Sequence, residues 1–282
     1  MAVKAVQQFM LGTVMNTEAQ VRDTMQKMKE AGYGGIELCG FMIHPTGFMV
    51  RMMTKAAGMP VGKGGKLDWH TLVKDSGLEV VSVHQDLGSV ERDPAAVAQE
   101  AHRFGTDKVV ITGMYRFPYG ERDAVKELAA RLNKAGEALH KEGVSLLYHN
   151  HNCEFLRLAP GVNGYGLLLM ETDPAYVNFE FDSYWCADCG ADPLAVMDAL
   201  GPRMKLWHIN DRGTRQTGPC MTPILKSDSM ELGTGSMPLD ALCEKAKAVG
   251  VEAVILESHR NWIDKSPVKS FRLSANYLNT RF

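Results

Sequence analysis

The 282-residue chain lacks any apolar run long enough to cross a bilayer. Its best candidate, Gly166–Met170, falls far short of the ~20 residues a spanning helix needs. The opening MAVKAVQQFM has no extended apolar core of the kind a secretory leader carries, so the expectation is a cytoplasmic protein with no membrane partner. An excess of positive charge is also missing. Lys and Arg number 31 against 33 Asp and Glu, a net charge of −2, which excludes a global basic field for nucleic acid. Cysteine is sparse: six residues, scattered, read as free thiols in a reducing compartment rather than as a disulfide framework. No G-x-G-x-x-G opens a helix after the first strand-like run, which argues against a dinucleotide-binding open sheet. With no low-complexity stretch and no evident linker, residues 1–282 read as one domain.

What is present is alternation. Short β-like runs are predicted near Val6–Gly12, Gly35–Cys39, Glu79–His84, Lys108–Thr112, Val144–His149, Tyr176–Asp182, Met204–Ile209 and Val251–Glu257. Helical patterns lie between them, most clearly at Thr17–Ala31, Asp93–Phe104, Glu121–Glu142, Asp192–Leu200, Pro238–Val249 and Pro267–Leu278. Local punctuation agrees. Thr17 with Gln20 has capping-box spacing, Asp192-Pro193 supplies a cap and an N1 proline, and Gly32, Gly143 and Gly250 follow their helices. Repeated strand-helix units predict a parallel sheet closed into a (β/α)8 TIM barrel. Two long irregular stretches, Phe41–Lys66 and Asn210–Ser236, follow strands and so belong to the C-terminal face, where barrel active sites lie.

Side chains two apart on a strand share a face. In Val177–Asp182 the apolar Val177, Phe179 and Phe181 should meet the helices, and Asn178, Glu180 and Asp182 should point into the barrel. The same reading sets Val80, Ser82 and His84 on one face, Ser145, Leu147, His149 and His151 on one face, and Ala253, Ile255 and Glu257 on one face. Five strands then end in an ionisable residue: His84, His149, Asp182, His208 and Glu257. Converging at one mouth, two imidazoles and two carboxylates make a site for one divalent cation, Mn2+ first, with Co2+, Zn2+, Fe2+ or Mg2+ also compatible. Such a cation polarises a carbonyl or alkoxide of a small-molecule partner.

The segments Tyr148–Phe155 (YHNHNCEF), Phe181–Trp185 (FDSYW), His208–Asp211 (HIND) and the terminal Glu257 resemble the xylose isomerase-like sugar phosphate isomerase/epimerase superfamily, in its Y-H-N-H-x-x-E-F branch. The resemblance implies a metal held on the last four strands by Glu, Asp, His and Glu. Carried onto this chain, these positions are His149, which departs from glutamate, then Asp182, His208 and Glu257. It implies that the small-molecule partner is a keto sugar or polyol. It implies metal-assisted enolisation begun by Glu257, with His84 orienting a hydroxyl or carrying a proton and Glu154 as a further proton carrier. Glu37, His151, Trp185, Asp211 and Arg212 are the expected substrate contacts. With only one glutamate among the ligands, a lyase or dehydratase fits beside an isomerase or epimerase. Cys186 and Cys189 form a C-x-x-C read as unpaired loop thiols. Met42, Met49, Met52, Met53 and Met59 crowd the long loop that follows the second strand, Phe41–Lys66, as a lid or as a contact in a homo-oligomer.

Overall fold

In the computed structural model, which describes residues 2–45, 47, 52, 63–114, 116–216 and 218–282, eight strands close into an all-parallel barrel. They are β1 (Val3–Gln7), β2 (Gly35–Cys39), β3 (Glu79–Gln85), β4 (Lys108–Ile111), β5 (Ser145–His149), β6 (Val177–Asp182), β7 (Met204–Ile209) and β8 (Ala253–Leu256). Closure comes from β1 pairing with β8, Val3 opposite Ala253 and Val6 opposite Leu256. Around them lie α1 (Glu18–Ala31), α2 (Trp69–Ser76), α3 (Pro94–Arg103), α4 (Arg122–Lys141), α5 (Gly164–Glu171), α6 (Pro193–Leu200), α7 (Leu239–Val249) and α8 (Pro267–Leu278). The apolar run Gly166–Met170 is thus part of a barrel helix. No helix among the described residues is long and apolar enough to cross a membrane.

Helix ends follow their sequence signals. Thr17 Oγ1 accepts from Gln20 N–H, while Gln20 Oε1 reaches past the cap to accept from Asn16 N–H at 3.0 Å. Asp192 caps α6, and Gly32 and Gly250 end α1 and α7 in left-handed conformation.

Two expectations are corrected. The first strand runs Val3–Gln7, not Val6–Gly12. Gln7 accepts from Phe9 N–H and turns the chain into a 3-10 helix, Gln8–Leu11. In β3, strict alternation fails. The register against β2 jumps from Ile36–Val80 to Glu37–Ser82, so Val81 is an extra residue. Val80 therefore packs outward, Val81 packs inside the barrel, and Ser82 and His84 still face inward.

The barrel interior has two storeys. Ala5, Val81, Val110, Leu147, Leu206 and Ile255 form an apolar plug at the N-terminal end. Above it the inward positions turn polar. Outward residues such as Phe179, Phe181 and Trp207 join the main core beneath the helices. The long loop after β2 holds a short helix, Gly40–Ile43, but Met49, Met53 and Met59 lie outside the described residues. The other long loop folds back as a hairpin, Asp211–Gly213 against Asp228–Met230.

Candidate active site

The strand alternation delivers one donor from each of four neighbouring strand ends. His149 closes β5, Asp182 closes β6, His208 is the penultimate residue of β7, and Glu257 follows β8. One donor atom from each lies within 4.8 Å of the other three, and all four side chains are buried. His208 Nδ1 stands 2.9 Å from Glu257 Oε2 and 3.9 Å from Asp182 Oδ2. Buried carboxylates facing imidazole nitrogens, two of each, match the donor chemistry of a divalent ion.

A second polar layer lies directly beneath. Glu180, two residues before Asp182 on the same face, directs Oε2 to His149 Nδ1 and His84 Nε2, each at 3.0 Å, and to His208 Nε2 at 3.2 Å. Its Oε1 has no hydrogen-bond partner. Glu37 accepts from His208 Nε2 at 2.6 Å and is held by Ser82 Oγ and Gln7. Glu37, expected as a substrate contact, is fully buried on this lower floor. His84, expected near the substrate, bridges the floor to the mouth, 3.1 Å from Glu37 and slightly exposed.

The electrostatics follow from burial against this crowd of opposite charges. Burial alone would strip the proton from His84, but Glu37 and Glu180 outweigh it and lift the imidazole to about 10. His208 is likewise discouraged by burial yet driven well above its ordinary value by Glu180, Glu37 and Glu257. Burial pushes Asp182 up to about 6, only partly offset by His149 and His208. Glu257, which burial would raise, is held well below the usual carboxylate range by His259 and His208. His151 goes the other way: burial and the neighbouring His149 lower it to about 3, so it stays neutral.

Aromatic rings wall one side of the mouth. Asp182 Oδ1 accepts from Trp185 N–H and starts a short helix, Ser183–Asp188, that carries the indole. Trp185 stacks over His259 at 6.0 Å and an interplanar angle of 29°, and His259 meets Phe9 edge-on. His151 tilts toward Trp185 from the far side. Glu154 lies buried behind it, accepting from His151 N–H at 2.9 Å and from the Tyr148 hydroxyl at 2.8 Å. Asp211 is buried and accepts from the backbone N–H groups of Arg212, Gly233, Gly235 and Met237, which pins the hairpin loop. Arg212 pairs with Asp188 at 3.2 Å. The C-x-x-C lies at the end of the Trp185 helix rather than in a loop, and both cysteines are free.

Against known proteins, residues 25–281 match the family model of the xylose isomerase-like TIM barrel. The chain belongs to that family. Over 105 residues, a xylose isomerase-like barrel of this sequence is 27% identical to inosose dehydratase of Clostridium beijerinckii, a stretch covering 37% of the chain and 33% of the relative. The match therefore spans about a third of that protein's length. A sugar phosphate isomerase/epimerase from Parabacteroides distasonis ATCC 8503 shares the fold with a TM-score of 0.74 and 22% identity, over 99% of this chain and 94% of that one. The IOLI protein, solved with a zinc atom bound, gives a TM-score of 0.68 and 12% identity, with 99% of each chain covered. At such identities the likeness to the solved structures is one of fold.

Three residues of this xylose isomerase-like barrel were not singled out by the sequence reading. Glu180 was placed inward but given no role. His259 continues the period-two series Ala253, Ile255, Glu257 one step past the strand, where alternation could have found it. Gln7 lies inside the expected Val6–Gly12 strand, but its role depends on the strand ending there and on its contact with Glu37 on the next strand.

Proposed function

We propose that the protein is a divalent-metal-dependent isomerase or epimerase of a keto sugar or related polyol, acting by enolisation at the barrel mouth. The observation that carries this reading is the convergence of His149, Asp182, His208 and Glu257, four buried donors within 4.8 Å, in a family whose relatives include sugar isomerases, epimerases and dehydratases. A divalent ion held by these four side chains supplies Lewis-acid polarisation of a substrate carbonyl. Mn2+ heads the compatible set.

The chain's own groups do the proton work. Glu257 stays ionised and is fixed at a rigid strand end, so it can accept a proton from the carbon beside the carbonyl. His259 Nε2, 2.9 Å from Glu257 Oε1, holds that oxygen in place. Trp185 offers a flat apolar face for the sugar ring, and His84 meets a substrate hydroxyl from below. Glu154 acts behind His151, fixing its backbone. Glu37 and Asp211 act on the frame of the site, Glu37 through His208 and Asp211 through the hairpin loop, and Arg212 stands at the rim.

Elimination is the second reading. Besides Asp182, the four donors include no second glutamate to face Glu257, since that place holds His149. Loss of water or of an aglycone needs one base and one acid, parts that ionised Glu257 and protonated His84 fit. Mass spectrometry of products from keto sugars and inososes, with metal analysis of the purified protein, separates the readings. Isomers conserve mass. A product lighter by water or by an aglycone establishes the lyase, and a protein that takes up no divalent ion overturns both.

A further inference from the structure

We infer that Glu180 is a positioning residue that decides which nitrogen each histidine turns to the ion: Nε2 of His149 and Nδ1 of His208. This rests on the metal reading above and extends it one layer down.

A neutral imidazole has one N–H and one lone pair, and only the lone pair can ligate. An ionised carboxylate only accepts, so whichever nitrogen faces it keeps the proton. Glu180 Oε2 lies 3.0 Å from His149 Nδ1 and 3.2 Å from His208 Nε2. Glu37 Oε2 adds a second acceptor on that same His208 nitrogen at 2.6 Å. Both rings therefore hold their protons on the lower side. On His208 the upper nitrogen, Nδ1, also faces carboxylates, Glu257 Oε2 and Asp182 Oδ2, and there the ion takes the proton's place.

The lower residues His84, His149, Glu180 and His208 also bring donors within 4.8 Å of one another. A second ion there would demand that His149 and His208 surrender both ring protons at once, as bridging imidazolates. N–H donation to Glu180 needs no such deprotonation. Three imidazoles crowd one oxygen of Glu180 while Oε1, buried, has no partner. Removing its charge breaks those buried contacts and costs stability. It also orients ligands, and loss of such a partner lowers metal affinity by ~10–100-fold.

The test has two arms. In Zn2+-loaded parent protein labelled with 15N-histidine, long-range 1H–15N correlation should find His149 protonated on Nδ1 and His208 on Nε2. In Glu180→Gln, Co2+ titration of the folded protein should show one weaker site, down ~10–100-fold, with an altered d–d spectrum. Opposite tautomers in the parent, two ions per chain, or a folded Glu180→Gln with parental Co2+ affinity and spectrum would each overturn the inference. If Glu180→Gln does not fold, the parent spectrum decides alone. A parent that takes up no ion defeats the metal reading itself, whereas one ion bound equally by parent and variant defeats only the role of Glu180.

Discussion

The two storeys of the barrel interior are built on the same strands by the same alternation, yet they obey opposite rules. Below, Ala5, Val81, Val110, Leu147, Leu206 and Ile255 exclude water and contribute to stability through burial. Above, carboxylates and histidines are just as buried, and burial works against them. It pulls His84 and His208 toward neutrality and Asp182 toward protonation, and only their mutual contacts offset it. Burial favours the lower storey and opposes the upper one, which begins one inward position further along the strands.

The most severe way to break that division is at His208, whose ring touches both layers of the polar storey. His208→Ala removes a proposed ligand and leaves Glu37 with His84 in place of two imidazole contacts. Metal uptake should fall by more than ~10²-fold, beyond the range for an indirect partner, as measured by calorimetric titration. Retention of parental affinity would remove His208 from the ligand set. Next comes Glu257→Gln, which keeps volume and one donor oxygen but not basicity. Turnover should drop at least ~10²-fold with the fold intact and metal binding weakened. Exchange of solvent deuterium into unreacted substrate, if the parent shows it, should vanish too. Near-normal turnover of the loaded variant would move the base elsewhere.

The opposite cut is Leu147→Ala, one step below His149 on the inner face of β5. It should cost about 2–5 kcal/mol of unfolding free energy, read by denaturant titration, while ion affinity of the folded protein stays near parental. A loss of affinity with no loss of stability would mean the storeys are not separable.

The mildest test is pH. Without an ion His208 holds its proton well above the ordinary histidine range, because Glu180, Glu37 and Glu257 outweigh burial. The ion must displace that proton, so acid opposes loading and affinity should climb about tenfold per pH unit through neutrality. Calorimetry in buffers of different ionisation enthalpy should count ~1 proton released per ion near pH 7. Flat affinity from about pH 6 to about pH 8 would contradict this, since a ligand protonated in the free protein must titrate against the ion.

Sequence alone made the barrel legible because its signals are local and repeated: period-two strands, capped helices, glycine stops. The strand-end residues His149, Asp182, His208 and Glu257 were legible for the same reason, since parity within a strand predicts a shared face. What escaped depended on register between strands. The extra residue Val81 shows only in how β3 pairs with β2. The lower floor escaped for a related reason. Glu37 and Glu180 sit on different strands, and nothing within either segment reveals that they meet over His208.

Asp182 belongs to two structures at once. Its Oδ2 faces the ion-binding side and its Oδ1 is the N-cap of the helix that carries Trp185. A tug on one oxygen is transmitted through a rigid carboxylate to the first turn of that helix, and so to the indole. An ion held at the proposed centre would thus reach the aromatic wall through this one side chain, and a substrate leaning on the wall would pull on the same carboxylate.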